Sequence, residues 1–144
     1  ELVLSQTSND FMVWGTWAED LRLDNLTEDQ AKEDFNGKTN TATIIAEDSE
    51  AGAAKYCNDY TTAGTSAGDW YLPAAGELYS YVYGNYSAIN TAMTSIGWTW
   101  SSTWLWSSSE RDCNYAWLVA TNNGFMNYTV KVYNYDVSCL LAIN

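Results

Sequence analysis

The chain has 144 residues, of which 47% are hydrophobic and only 17% are charged, and this composition predicts one globular domain with a substantial core. Its net charge is −12, so phosphate backbones and anionic membrane surfaces would repel it, and nucleic acid is excluded as a partner. No apolar run approaches the roughly 20 residues of a membrane span, so we expect no membrane insertion.

Residue types that common catalytic and metal sites need are missing. There is no histidine, so Ser-His-Asp and Cys-His arrangements are impossible. Cys57, Cys113 and Cys139 form no Cys-x-x-Cys pair, and an odd number allows at most one disulfide and a free thiol. No Asp-x-Asp-x-Asp-Gly loop occurs, so the 18 acidic side chains are interpreted as charges scattered over the solvated surface. Calcium binding by some of them stays an open alternative. We therefore predict a protein that is not an enzyme and has no cofactor and no metal site.

The first part of the chain predicts short strands followed by helices. Residues 2–4 and 11–14 are apolar and a polar turn separates them, which indicates a β-hairpin or a pair of short strands. The acidic stretch 19–38 predicts a loop with a short helix after Thr27. A helix follows at about 49–60, because small and apolar residues recur there at helical spacing.

The middle of the chain predicts one extended piece and two further helices. Residues 70–72 are extended and end at Pro73, which suits the start of a helix running to about residue 83. Apolar residues recur at helical spacing over 87–96, and Gly97 stands where a C-terminal glycine cap belongs.

After Gly97 the chain becomes rich in Ser, Thr, Tyr and Asn, with almost no charge, and it predicts a sheet. The expected strands are 104–109, 116–121, 125–130 and 137–143, with a looser segment at 131–136. The Asn-Gly pair at 123–124 lies between two β-prone runs and is a strong hairpin signal. Strands, then helices, then an antiparallel sheet predict the α+β class.

The C-terminal third carries the candidate binding residues. Tyrosines alternate there with asparagines, a mixture of rigid rings and short polar groups that antibody paratopes also use. Tyrosine also fills β cores, but residues 133–136 show no consistent apolar face, so we expect exposure from 128 to 136. The residues expected to bind a ligand are Arg111, Asp112, Tyr115, Leu118, Asn127, Tyr128, Tyr133, Asn134, Tyr135 and Asp136.

Several short sequence motifs follow one another along the chain. Residues 68–78 read Gly-Asp-Trp-Tyr-Leu-Pro-Ala-Ala-Gly-Glu-Leu, and residues 37–41 read Gly-Lys-Thr-Asn-Thr. Trp-Ser-Ser-Ser-Glu follows at 106–110, and then Ala-Trp at 116–117, Asn-Gly at 123–124, Lys131 and Leu-Ala-Ile at 141–143. With these motifs the chain resembles the variable proteins of diversity-generating retroelements, in the C-type-lectin fold group related to formylglycine-generating enzymes. It departs from that family at Ser138, where the family usually has arginine. Four residues of these motifs, Trp70, Leu72, Trp106 and Trp117, are predicted to form the core.

The resemblance implies a C-type-lectin-like fold, with two or three helices packed on a small, mostly antiparallel sheet and with adjacent chain ends. The whole chain, 1–144, would be one ligand-binding domain with a variable region at about 106–144. A retroelement would rewrite adenines there, which cannot produce Glu, Gln, Lys, Met or Trp. After Asp112 those types occur only as Trp117, Met126 and Lys131.

The function implied by the resemblance is binding of a protein or other macromolecule on a host cell or another cell surface. The domain would be carried on a phage tail or a bacterial surface. Three alternatives stay open: a bacterial adhesin, a structural tail or fimbrial subunit, and an oxidase-like enzyme of the related fold. Sugar binding does not come with the fold, because the calcium loop of sugar-binding C-type lectins is absent from the sequence.

Overall fold

Three-stranded antiparallel sheets organise the computed structural model, which describes residues 1–8, 10–98, 100 and 104–143. The terminal sheet has the order β1 (Leu2–Leu4), β6 (Leu140–Ala142), β2 (Trp70–Tyr71). The C-terminal sheet has the order β3 (Trp104–Glu110), β4 (Tyr115–Ala120), β5 (Phe125–Val130). The predicted α+β class is confirmed, with two small sheets in the described residues where one was expected.

The chain ends meet in the terminal sheet, as predicted. Leu2 pairs with Ala142, and the Ile143 amide donates to the Glu1 carbonyl oxygen at 2.8 Å. The predicted hairpin between residues 2–4 and 11–14 is wrong, because β1 pairs with β6 and Met12 pairs with Tyr135. Both apolar segments find their partners in the last part of the chain, which sequence spacing does not reveal.

Helices pack against both sheets and connect the two. The short helix after Thr27 is confirmed, with Thr27 and Gln30 forming a capping box. The helices expected near 49–60, 73–83 and 87–96 are also present, whereas one between residues 37 and 47 was not predicted. The helices are α1 (Glu28–Lys32), α2 (Gly37–Glu47), α3 (Gly52–Asp59), α4 (Ala75–Glu77) and α5 (Tyr86–Ser95), with a π-helical turn (Leu78–Val82) and a 3₁₀ turn (Tyr83–Asn85) joining α4 to α5. No helix in the described residues has the length and apolar character to cross a membrane.

The middle strand of the C-terminal sheet, β4, is covered on both faces, whereas the edge strand β5 is largely exposed. The described residues form two hydrophobic core clusters. Successive residues of β4 point to opposite faces of the sheet, so Leu118 lies in the first cluster and Trp117 in the second. Trp70, Leu72 and Trp106 belong to the first cluster, and all three are buried. The expectation that these three residues and Trp117 form the core is confirmed.

One disulfide joins the helical part to the terminal sheet. Cys57 of α3 pairs with Cys139, with 5.4 Å between the Cα atoms and 82 residues between them in sequence. Cys113 is a free, half-buried thiol. This agrees with the expectation of at most one pair and a free thiol.

Candidate functional site

A buried ion pair fixes the end of the C-terminal sheet from which the candidate residues emerge. Lys131, directly after β5, donates from Nζ to Glu110 Oε2 at 2.6 Å, and the two side chains are 0% and 1% exposed. Glu110 also accepts the backbone N–H groups of Leu21 and Leu23. Loops 111–114 and 131–136 therefore leave the sheet side by side, and the Lys131 amide donates to the Asn114 carbonyl oxygen at 3.1 Å.

Next to this pair, an arginine and two tyrosines form a stacked cluster. Tyr128 lies opposite Trp117 in the β4–β5 register, so its ring shares a face with Tyr115. The Tyr115 and Tyr128 ring centroids are 5.3 Å apart with an edge-to-face arrangement. The Arg111 guanidinium carbon lies 4.1 Å from the Tyr128 centroid, within the range of a cation–π interaction. Tyr128 remains 40% exposed, so this ordered cluster still faces solvent.

The loop that follows β3 is held in shape by Asp112. Its Oδ1 accepts the backbone N–H groups of Asn114 and Tyr115 at 2.9 and 3.1 Å. Its Oδ2 forms an ion pair with Arg111, in which the side chains are 28% and 30% exposed. The arginine is therefore held between a carboxylate and an aromatic ring, and its position is restricted before any ligand arrives.

Loop 131–136 extends the same end of the sheet. The Tyr133 amide donates to the Val130 carbonyl oxygen at 3.0 Å, which makes a tight turn. Tyr133 is 54% exposed and Asn134 is also exposed. We use the name C-terminal surface for Arg111, Asp112, Tyr115, Tyr128, Tyr133 and Asn134.

Four other predicted ligand residues are placed differently. Leu118 is buried in the first core cluster, so the expectation that it contacts a ligand is corrected: β4 is buried on both faces from Ala116 to Ala120, and Tyr115 at its start is half-buried. Asn127 is exposed but pairs with Leu118, on the face of β5 opposite Tyr128. Tyr135 packs edge-to-face on Trp106 with 5.3 Å between the ring centroids.

Asp136 is the fourth of these residues, and it is half-buried beside β3. Its carbonyl oxygen accepts the Trp106 amide at 3.0 Å. Burial of its side chain raises the pKa of Asp136 above the ordinary value. Tyr135 and Asp136 therefore anchor the loop against the core, whereas Tyr133 and Asn134 project from it.

Sequence reasoning missed two exposed aromatic residues that border this region. Met12 and Tyr135 exchange two backbone hydrogen bonds of 3.0 Å, and the Trp14 amide donates to the Lys131 carbonyl oxygen at 2.9 Å. The N-terminal segment therefore runs beside loop 131–136, and Phe11 and Trp17, at its two ends, are exposed. The signal for them in the sequence is the excess of aromatic residues, which extends from the C-terminal third to the N-terminal segment.

The motif residues of 37–41 and 68–78 form a buried polar joint. Glu77 accepts the Gly37 and Ala74 amides with Oε1 and the Tyr71 hydroxyl with Oε2, at 2.7–3.1 Å. Burial raises the pKa of Glu77 and also that of Tyr71. A Cβ at Gly37 would lie 2.3 Å from Glu77 Oε1 and 2.7 Å from Tyr71, so no larger residue fits. These residues are structural. We use the name framework for such buried residues, which hold the elements of the fold together.

At Ser138, where the resembled family has arginine, the structure holds a small buried side chain. The Ser138 hydroxyl lies 3.5 Å from the Thr7 hydroxyl, in the stretch that precedes β6. A pair of hydroxyls thus occupies a position that an arginine fills in that family. Among the described residues, no group of three His, Cys, Asp or Glu side chains could hold a metal ion.

Comparison with known proteins gives one informative likeness, which concerns the fold. No family model matches the chain, and no curated protein matches it. A solved structure of a fimbrial protein from Bacteroides ovatus is similar to this chain, with a TM-score of 0.71 over 99% of the chain and 19% sequence identity. The match covers 35% of that protein, so the chain spans about a third of its length. At this identity the likeness shows that the two share a fold.

Proposed function

We propose that this chain is a binding domain displayed at a bacterial cell surface, on a fimbria-like or adhesin-like protein, and that its C-terminal surface binds a macromolecule of another cell. The observation that carries the proposal is the cluster of Arg111, Tyr115 and Tyr128. It is partly exposed, held by contacts on several sides, and continuous with the exposed residues Tyr133 and Asn134.

The chemistry of this surface suits a protein or another large ligand. Tyrosine rings bury a large area at a small entropic cost because they have only two rotatable side-chain bonds. Arg111 has five N–H donors, and its hydrogen bond within the described residues goes to Asp112. The Asn134 amide adds both a donor and an acceptor. Rings, a fork of donors and an amide together resemble the central residues of protein interfaces.

Two observations support display outside the cell. The Cys57–Cys139 disulfide is of a kind that persists in oxidising compartments and is rare in the cytosol. The fold is shared with a fimbrial protein. A structural fimbrial subunit would share both properties, and the exposed C-terminal surface is what favours ligand binding.

We also propose that a retroelement diversifies the C-terminal surface, on a bacterial surface or on a phage tail. Of the residue types that adenine rewriting cannot produce, Trp117 and Lys131 are buried, and Met126 packs against the second core cluster. The exposed positions Tyr128, Tyr133 and Asn134 have types that rewriting does produce. The test is the adjacent DNA, which would contain a reverse transcriptase gene and a near-copy of the variable codons. Adjacent DNA with neither would refute diversification and leave the binding proposal intact.

Binding itself is tested with the fluorescently labelled domain and a panel of bacterial and host cells, by flow cytometry. The Tyr128→Ser/Tyr133→Ser variant should lose cell binding and stay folded, with a loss of about 1 kcal/mol in the free energy of unfolding because Tyr128 packs edge-to-face on Trp117. The matched control is Phe35→Ser, which changes an exposed aromatic residue outside the C-terminal surface. If the double variant binds cells as the wild type does, the proposal is wrong. A wild-type domain that binds no cell and only assembles into filaments would favour the structural subunit.

A further inference from the structure

A cleft of about 810 Å³ lies beside the terminal sheet, and no residue of the C-terminal surface lines it. Its walls come from the ends of the strands Leu2–Leu4, Trp70–Tyr71 and Leu140–Ala142, from loop 62–65, and from the start of α2. The function proposed above makes no use of this cleft.

Two tryptophans give the cleft an aromatic wall. Trp70 is buried, and its Nε1 donates to Thr65 Oγ1 at 3.2 Å, so its position is fixed. Trp98 is 39% exposed, and within the described residues its ring stacks on no other ring. Its backbone is fixed, since the Trp98 amide donates to the Met93 carbonyl oxygen at 3.0 Å after Gly97 turns the chain with a φ of +71°. The cleft therefore includes one partly exposed indole, that of Trp98, next to the buried Trp70.

Two side chains of opposite charge share the cleft with this indole. Asp69 accepts the Ser66 amide at 2.8 Å, which orients its carboxylate. Lys38 extends from the first turn of α2 and is exposed. Both line the cleft, and in the part of the chain that the structure describes neither forms an ion pair. One charged acceptor and one charged donor are thus available beside the indole ring.

This combination matches the chemistry of a sugar ring. A pyranose has an apolar C–H face that stacks on an indole, and an edge of hydroxyl groups that both donate and accept. Asp69 would accept from one hydroxyl, and Lys38 would donate to another. A purely apolar ligand would desolvate both charges without compensation, and a net charge of −12 opposes polyanions. We propose that the cleft binds a neutral pyranose unit of a glycan.

The proposal is tested with the methyl pyranosides of glucose, galactose, mannose and N-acetylglucosamine at millimolar concentrations. Saturation-transfer NMR on the whole chain should show transfer to the C–H face of at least one sugar. Trp98→Ala should weaken that binding about tenfold. Asp69→Asn, which keeps an oxygen for the Ser66 amide, and Lys38→Gln should each weaken it as well.

Two controls keep this site distinct from the C-terminal surface. Trp17→Ala removes an exposed tryptophan that does not line the cleft, and it should leave sugar binding unchanged. Tyr128→Ser/Tyr133→Ser should also bind sugar as the wild type does, even where it has lost cell binding. Absence of saturation transfer to all four glycosides would overturn the proposal. So would sugar binding that survives in all three cleft variants.

Discussion

Glu110 and Arg111 are adjacent in sequence, yet their ion pairs belong to different regions of the molecule. The Glu110–Lys131 pair is completely buried, and it also binds the Leu21 and Leu23 amides and the Glu19 carbonyl oxygen. The Arg111–Asp112 pair is about 30% exposed and lies against tyrosine rings. Glu110, at the end of β3, thus belongs to a framework ion pair, and Arg111, directly after it, belongs to a surface ion pair.

The comparison teaches how one small sheet can serve both folding and binding. In β4, Trp117 and Leu118 face different core clusters, and the strand is buried from Ala116 to Ala120, with Tyr115 half-buried at its start. The neighbouring edge strand β5 and the two loops at its end carry the exposed residues. We expect substitutions in the framework to cost stability and substitutions on the C-terminal surface to cost mainly binding.

The largest effect is expected for Lys131→Met. This variant leaves the Glu110 carboxylate buried without its cationic partner, and breaking a buried pair in this way costs about 3–5 kcal/mol. Chemical denaturation of the wild type and the variant measures the difference in the free energy of unfolding. A loss below about 1 kcal/mol, the size typical of surface pairs, would contradict the assignment of this pair to the framework.

A double variant tests whether the cost comes from the unpaired charge. Glu110→Gln/Lys131→Met removes both charges and keeps a side-chain oxygen for the Leu21 and Leu23 amides. It should be more stable than Lys131→Met alone, because no isolated carboxylate remains in the core. Equal stability of the two variants would assign the cost to lost packing around Trp14, over which the lysine ammonium lies.

Removal of the disulfide is expected to have a somewhat smaller effect. Cys57→Ser/Cys139→Ser frees a loop of 82 residues in the unfolded chain, which should lower the free energy of unfolding by about 2–4 kcal/mol. The measurement is thermal unfolding without reductant. Cys113→Ser is the control, and it should leave the melting temperature unchanged because this thiol is unpaired. A large fall in the melting temperature of Cys113→Ser, without one in Cys57→Ser/Cys139→Ser, would contradict the assignment of the disulfide to Cys57 and Cys139.

The sequence was sufficient to predict the elements that follow local rules. Thr27 and Gln30 cap α1 through a local pattern, and Asn123-Gly124 gives the turn into β5, with Gly124 at a φ of +76°. The buried tryptophans followed from the recurring motifs. Each of these signals lies within a few residues, where steric and hydrogen-bonding preferences act directly.

The rest depends on partners that are distant in sequence. Helix α2 has no apolar stripe, and its buried residues include Asn40 and Thr41, which bind Asp34 and Leu72. Its Asn36 cap makes no side-chain hydrogen bond, so neither periodicity nor capping predicts it. For the candidate site, the Tyr/Asn composition located the region but could not distinguish Tyr133 from Tyr135. That distinction depends on Trp106, on a different strand.

Two tyrosines in loop 131–136 provide the third test. Tyr135→Ser removes an edge-to-face contact with buried Trp106 and should cost about 1–3 kcal/mol. Tyr133→Ser changes an exposed ring and should stay within about 0.5 kcal/mol of the wild type. Urea denaturation of the two variants compares them directly. Equal costs would show that the loop is either entirely framework or entirely surface.

Arg111→Gln is expected to have a small effect on stability and a large effect on binding. A partly exposed ion pair contributes about 0–1 kcal/mol, and an exposed cation–π contact contributes a similar amount, so the variant should lose no more than about 2 kcal/mol. Binding to the cells that the wild-type domain recognises should fall about tenfold or more, because arginine donors are frequent hot spots. The control is Lys55→Gln, which breaks the exposed Lys55–Asp59 pair in α3 and should change neither property. If Arg111→Gln instead costs as much stability as Lys131→Met, then Arg111 belongs to the framework, and the boundary between the two regions does not lie between residues 110 and 111.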